Sequence, residues 1–284
     1  MQVSRDAVLQ MEKPLVRIAP TAGWLDLHLG ELWEYRELLY FLIWRNIKVR
    51  YKQTIIGAGW AIIQPFFTMV IFTLFFGKLA GMPSEGLPYP IFYYSALLPW
   101  VYFANALNQA TLTIVEHQRV ITKIYFPRIL LPLSAVLSGL VDFSFAFTIL
   151  IGMMVFYRVV PTAATLLLPL FLLLAISTAF GVGLWLSALN AIYRDVRYAV
   201  PFVVQCWMFA SPVIYPSSLV PERWRWLYAL NPMTGVIEGF RWALLGQSKP
   251  LGSLLFASAG AVLLLMAGGL VYFQRMEGTI ADVV

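Results

Sequence analysis

The stretch GAGWAIIQPFFTMVIFTLFFG, residues 57–77, contains no Asp, Glu, Lys, Arg or His. A helix that spans a bilayer needs about 20 mostly apolar residues, because the hydrocarbon core is about 30 Å thick and each helical residue advances about 1.5 Å. This stretch therefore predicts a transmembrane helix.

Five further stretches meet the same test, and together they predict an all-α integral membrane protein with six transmembrane helices. The fifth stretch contains Pro201 and Pro212. Since proline removes a backbone donor, we predict that this helix is kinked or broken. The single transmembrane domain covers residues 57–274, with spans at residues 57–77, 90–115, 129–157, 162–189, 199–216 and 251–273.

The composition of the whole chain agrees with a membrane location. Of 284 residues, 60% are hydrophobic and 12% are charged, and the mean hydropathy is +0.76. These values lie outside the usual range of water-soluble domains. The net charge of +6 does not indicate nucleic-acid binding, because the cations lie between apolar runs rather than on one solvated face.

The distribution of Lys and Arg predicts the orientation, because cations are retained on the cytoplasmic side. With the N-terminus inside, the inner segments hold 14 of these residues and the outer segments hold 6. We therefore expect residues 1–30 and the tail, residues 275–284, to be cytoplasmic. Residues 1–20 contain no apolar run of the kind found in cleavable signal peptides.

Residues 31–53 predict an amphipathic helix that lies along the membrane surface. On a helical wheel, Arg36, Phe41 and Arg50 are exceptions to the division into two faces. The segment could be an anchor that fixes topology, or a docking surface for a cytosolic partner. The apolar face holds Leu32, Tyr35, Leu39, Leu42, Ile43 and Val49, and the polar face holds Glu34, Glu37, Arg45, Lys48 and Lys52.

The sequence contains little that predicts catalysis. Gly77-Lys78 lacks the upstream glycine and the following Ser or Thr of a phosphate-binding loop, so we expect no ATP hydrolysis on this chain. Cys206 is the single cysteine, and the two histidines, His28 and His117, are read as surface residues. We predict no catalytic site, no metal site and no cofactor on this chain.

Asp142 lies near the middle of the third predicted span, where an ionised carboxylate should face protein or water. It could be a proton-relay acid of an ion-coupled carrier. A hydrogen bond between helices or a place on a channel wall is the alternative, because no second acid and no intramembrane cation is visible in the sequence.

Two aromatic-rich regions are candidates for contact with a substrate. Residues 217–250 are too polar to span and too apolar for an ordinary loop, which predicts two short helices that dip into the outer leaflet around Asn231-Pro232. They could form an exit gate or only an interfacial aromatic belt. The start of the second span is rich in rings that suit sugar binding or core packing: Tyr89, Phe92, Tyr93, Tyr94, Trp100, Tyr102 and Phe103.

The order of several motifs resembles that of ABC-2 type permeases that export O-antigen, capsule or teichoic-acid polymers. The resemblance covers residues 38–245. Its motifs are WRNIKVRYKQT at 44–54 followed by Gly57, Trp60 and Gln64-Pro65, FPR at 126–128, YRDVR at 193–197, SPVIYP at 211–216, and Asn231-Pro232 with EGFR at 238–241.

This resemblance implies a multi-pass protein of the bacterial inner membrane that works as two copies with two separate ATPase subunits. Those subunits would carry ATP and Mg²⁺, and the cargo would be a polysaccharide linked to a polyprenyl diphosphate. The surface helix near residues 45–53 and the loop 116–128 would contact the ATPase, and the segment between the fifth and sixth spans would form a re-entrant periplasmic gate.

Two sets of residues follow as predicted sites. The set expected to couple to the ATPase comprises Arg45, Lys48, Arg50, Lys52, Glu116, His117, Arg119, Lys123 and Arg128. The set expected in the substrate channel or gate comprises Tyr93, Tyr94, Trp100, Tyr102, Asp142, Trp224, Trp226, Asn231, Glu238 and Arg241.

Two other functions stay open at this point. A proton-coupled carrier would depend on Asp142 and would need no ATPase. An intramembrane glycosyl- or phosphotransferase would need loop acids able to hold a metal with a diphosphate. The basic cluster of residues 45–52 could also hold a lipid pyrophosphate at the inner leaflet.

Overall fold

The computed structural model describes residues 29–52, 57, 59–246 and 252–283, and its regular elements in these ranges are all helical. Short 3₁₀ turns lie at Ala163–Leu167 and Ser217–Leu219, and a π-helical stretch, Thr73–Leu79, continues α3. The α-helices are α1 Leu29–Glu34, α2 Arg36–Tyr51, α3 Gly59–Phe72, α4 Tyr89–Glu116, α5 Gln118–Ile121, α6 Leu130–Phe156, α7 Leu168–Ile192, α8 Val196–Phe209, α9 Glu222–Ala229, α10 Pro232–Leu245 and α11 Gly252–Val283.

Four helical segments within the described ranges are long and apolar enough to cross a membrane. They overlap the first, third, fourth and sixth predicted spans, which confirms a multi-pass helical protein. These segments are Gly59–Leu79, Leu130–Phe156, Ala163–Ile192 and Leu255–Thr279.

The second and fifth predicted spans differ from these four. Helix α4 has 28 residues and is long enough, but its amide and tyrosine side chains make it less apolar. Helix α8 has 14 residues, about 21 Å at the usual rise, and it ends at Phe209 instead of continuing to residue 216. Residues 210–216 then form a non-helical connection.

Helix α4 is the centre of the bundle and packs against α3, α6, α7, α8 and α10. Because neighbours surround it, its rings are core residues: Phe92, Tyr93, Tyr94 and Phe103 are each at most 1% exposed. The core of the subunit therefore lies along this helix.

Helix α11 packs closely along α7 through small residues. A Cβ atom at Gly269 would lie 2.4 Å from the carbonyl oxygen of Gly181, and one at Gly181 would lie 2.8 Å from the Cα of Met266. Glycine therefore allows the two backbones to approach, as is common between membrane helices.

Helix α2 packs lengthwise on α6, and α1 precedes it with a break at Tyr35. Leu42 is buried, whereas Val49, placed on the same face of the wheel, is 71% exposed. The contacts with α6 recur at Asn46 and Arg50, four residues apart. A location of this helix on the membrane surface stays a prediction.

Candidate functional site

Arg50, at the end of α2, forms an ion pair with Asp142 in α6. Its other terminal nitrogen donates to the side-chain oxygen of Gln109 in α4 and lies 3.4 Å from the Ser138 hydroxyl. The Tyr51 hydroxyl donates to the second carboxylate oxygen of Asp142. Asp142 therefore has a cationic partner, which comes from α2 and not from a predicted transmembrane span.

The two helices run in the same direction where they touch. Asn46 donates to the Ser134 hydroxyl at 3.3 Å, and one turn later Arg50 reaches Ser138 and Asp142. Asp142 lies 12 residues after the start of α6 at Leu130, which corresponds to about 18 Å along the helix axis. The end of α2 thus reaches the middle of a helix that is long enough to cross a membrane.

A cavity of about 390 Å³ borders this ion pair between α2, α3, α4 and α6. Its wall combines charged, amide and aromatic side chains, with Gln64 and Asn105 exposed within the described subunit. Amides at this depth need water or polar partners, since lipid chains offer none. The lining includes Arg50, Asp142, Gln64, Asn105, Gln109, Trp60, Tyr102 and Phe143.

The surface that α4 leaves open includes three amides and one carboxylate. After Trp100, the residues of α4 that are not buried recur at helical spacing, apart from Val115. They are Val101, Ala104, Asn105, Asn108, Gln109, Leu112, Val115 and Glu116. In contrast, the four ring residues predicted for the channel wall lie inside the subunit: Tyr93, Tyr94, Trp100 and Tyr102 are at most 4% exposed. The hydroxyls of Tyr94 and Tyr102 donate to α6 carbonyls at 3.0 and 3.1 Å. In this conformation these rings serve helix packing.

The structure brings together the two segments predicted to contact an ATPase. Arg45 in α2 contacts Nε2 of His117 at the end of α4, and Nδ1 of His117 lies 2.7 Å from the Thr113 carbonyl oxygen. His117 is thus a partly buried residue that accepts from Arg45. Burial lowers the pKa of His117, and the nearby charge of Arg45 acts in the same direction.

The other predicted coupling residues differ in their surroundings. The Lys48 ammonium lies 5.3 Å from the centroid of the exposed Trp44 ring. Arg128 donates to the backbone carbonyl of Glu277 in α11, and is therefore only partly available to a partner. Exposed side chains belong to Lys48, Lys52, Glu116, Arg119 and Lys123.

Asn231 holds the start of α10. Its side-chain oxygen accepts from the Met233 amide at 3.1 Å and from the Trp207 indole at 2.9 Å. Its amide group donates to the Ala210 carbonyl at 3.2 Å and to the Ser211 hydroxyl at 2.9 Å. One N-cap residue thus satisfies polar groups in α8, in the connection after α8 and in α10.

Arg241 in α10 is 2% exposed and fixes the connection after α8. Its guanidinium donates to the Val213 carbonyl at 2.9 Å and to the Tyr215 carbonyl at 3.4 Å. It also pairs with Glu238 at 3.2 Å, and burial raises the pKa of that carboxyl. The Tyr89 hydroxyl donates to the intervening Ile214 carbonyl at 2.9 Å. Three successive carbonyls of a non-helical segment are therefore satisfied by side chains.

Helix α9 presents the two remaining gate candidates. Trp224 is 49% exposed and Trp226 is 64% exposed. Sequence reasoning identified these residues but missed Asn105 and Gln109. The position of Arg50 on an otherwise apolar helix face was the signal that could have pointed to its partner in α6.

With this geometry established, comparison with known proteins identifies the family. The family model described as ABC-2 type transporter matches residues 37–245, from α2 to the end of α10. The chain belongs to the ABC-2 type transporter family.

Curated relatives of this ABC-2 transporter chain are named as export permeases or as transport proteins. The O-antigen export system permease protein RfbA of Myxococcus xanthus is 28% identical over 251 residues, covering 87% of this chain and 95% of that protein. RfbA of Klebsiella pneumoniae is 26% identical, covering 72% and 79%. The polysialic acid transport protein KpsM of Escherichia coli is 23% identical, covering 85% and 94%.

Proposed function

We propose that this chain is the membrane permease subunit of an ATP-binding-cassette exporter that moves polysaccharide out of the cytoplasm. The observation that carries the proposal is the ABC-2 match over residues 37–245, together with relatives named for O-antigen export and polysialic acid transport. The cargo class is a lipid-linked polymer of the O-antigen, capsule or teichoic-acid type. The chain lies in the bacterial inner membrane with both termini in the cytoplasm.

The energy comes from two copies of a separate ATPase subunit that bind ATP and Mg²⁺. The sequence has no phosphate-binding loop of its own, which supports this division of labour. The contact between Arg45 and His117 places α2 beside the end of α4, so one surface of a partner can contact both segments. Exposed Lys48, Lys52 and Lys123 offer charge to an acidic surface of that partner.

The polymer crosses between two copies of the chain. Sugar hydroxyls cannot be dissolved in lipid without a cost of roughly 2–7 kcal/mol for each unpaired group. A path for sugar therefore needs polar walls, and the open stripe of α4 with Asn105, Asn108 and Gln109 supplies them. The helix pair α9 and α10 follows this path as its outer gate, with Trp224 and Trp226 as ring surfaces for sugar.

Two other functions receive no support from the family match. A proton carrier would use Asp142 as a relay, but this carboxylate is held by Arg50 and Tyr51. The relatives are named as transport or export proteins, and this gives no support to an intramembrane transferase.

Copurification tests the proposal. The tagged chain, extracted from its native membrane with mild detergent, is expected to retain an ATPase subunit in a one-to-one ratio, and deletion of the chain should leave polymer inside the cell. A chain that reaches the membrane, carries no ATPase and whose deletion leaves surface polysaccharide unchanged would refute the function.

A further inference from the structure

A single guanidinium connects three helices at the middle of the bundle. Arg50 belongs to α2, its carboxylate partner Asp142 belongs to α6, and its amide partner Gln109 belongs to α4. The planar fork of arginine can hold two such partners at once, whereas a lysine ammonium holds them as a point charge. Any displacement of the end of α2 is therefore applied directly to both α4 and α6.

The charges of this joint are only partly solvated. The Arg50 and Asp142 side chains are 24% and 22% exposed. Removal of one partner leaves a poorly solvated charge, so the two side chains stay together when their helices move. The pair is thus able to transmit movement rather than separate under it.

The surroundings of the joint allow movement. The cavity of about 390 Å³ lies directly beside Arg50 and Asp142, so their side chains can shift without displacing packed neighbours. In the five residues before Arg50, α2 also carries Arg45, which contacts His117, and the exposed Lys48. The same helix therefore connects a surface accessible to a partner with a partly buried contact on α6.

We propose that Arg50 and Asp142 are positioning residues for transport, which pass a displacement of α2 to α4 and α6. This inference rests on the proposed function, because the force on α2 comes from the ATPase subunit. Without the pair, α2 is held to α6 less firmly, by packing and by the hydrogen bond of Asn46 to Ser134. ATP hydrolysis then continues while less polymer is exported for each ATP consumed.

The test compares Asp142→Asn and Arg50→Lys with two matched controls on α2. Asp142→Asn retains shape but loses charge, and Arg50→Lys retains charge but loses the fork. The controls Glu37→Gln and Arg36→Gln remove charges that are exposed. ATP hydrolysis is measured on the purified complex in nanodiscs with MgATP, and surface polysaccharide is measured in cells and divided by the amount of permease in the membrane.

For both pair variants we expect ATP hydrolysis within about twofold of the wild type and at least a tenfold loss of surface polysaccharide. The controls should change neither. The exchanged pair, Arg50→Asp with Asp142→Arg, should show at least threefold more surface polysaccharide than either single variant. If Asp142→Asn is not recovered from the membrane, Arg50→Lys alone is compared with the controls.

Three outcomes would overturn the proposal that Arg50 and Asp142 transmit the displacement of α2. The first is wild-type export by both pair variants, and the second is a loss that only follows the amount of folded permease. The third is that the exchanged pair gives no more surface polysaccharide than the single variants. A failure of the proposed function can be distinguished from these three outcomes, because the wild-type complex itself would then show no ATPase activity and no polysaccharide export.

Discussion

The guanidinium carbon of Arg241 lies 3.8 Å from the centroid of the Phe92 ring, so a buried cation is stacked on the central helix of the bundle. The same group donates to the carbonyls of Val213 and Tyr215. The connection after α8 is therefore held between α4 and α10 by one side chain.

Substitution Arg241→Leu should strongly destabilise the subunit. It leaves two carbonyls without a donor and the Glu238 carboxylate without its cation, and loss of one partner from a buried pair costs about 3–5 kcal/mol. Thermal unfolding in detergent, followed by size-exclusion chromatography, measures the effect. The control Arg225→Gln removes an exposed pair with Glu222 and should cost less than about 1 kcal/mol. Equal melting temperatures for the Arg241→Leu and Arg225→Gln variants would contradict this role of Arg241.

Substitution Gly239→Ala should loosen α10 from α7. A Cβ atom at this position would lie 2.3 Å from the ring of Phe171, which is itself 1% exposed. Overpacking of this kind costs about 1–3 kcal/mol, more than the gain of up to about 1 kcal/mol from better helix propensity. In Gly152→Ala, the matched control in α6, the new methyl group meets nothing within 4 Å. The melting temperature should fall for the first variant and stay or rise for the second.

Acidification should destabilise the contact between α2 and α4. Because burial and Arg45 lower the pKa of His117, the folded chain binds this proton less readily than the unfolded chain. The contribution of neutral His117 is complete above the ordinary pKa of about 6.5 and is lost as the pH falls toward the lower folded value. Melting temperatures of the wild type and of His117→Asn at pH 8 and pH 5.5 measure this contribution to stability. The wild type should lose more stability on acidification than the variant; an equal loss would mean that His117 does not titrate differently on folding.

Charge reversal on α2 tests the ATPase contact. Lys48 and Lys52 are exposed, so the double change Lys48→Glu with Lys52→Glu should leave insertion intact and reduce surface polysaccharide at least tenfold, through repulsion of an acidic partner surface. The matched control is Lys78→Glu, an exposed lysine at the end of the π-helical stretch after α3. Normal surface polysaccharide in the double variant would refute the docking role.

Local sequence patterns predicted much of this fold for a physical reason. A bilayer demands long apolar helices with satisfied backbones, and that demand is visible within about 20 consecutive residues. The break at Asn231-Pro232 was also visible locally, and Asn231 does cap α10. Helices are determined by neighbours in the sequence, so their existence could be predicted.

Contacts between distant helices could not be predicted in this way. Arg50 and Asp142 are 92 residues apart, and no periodicity connects them. Tyr93 and Tyr94 have the chemistry of sugar-binding rings, yet they are core residues because four or more helices surround α4. The choice between a pathway wall and a core depends on that packing, while the predicted roles of the gate residues stay predictions.

The last helix has a consequence for the limits of the folding unit. The family match ends at residue 245, but α11 covers Gly181 on α7, and its Glu277 accepts from Arg128. A chain truncated after residue 245 would expose the glycine groove of α7 to lipid and release Arg128. The residues after the family match therefore pack as part of the same helical bundle, and we expect a C-terminal deletion to destabilise the loop between α5 and α6.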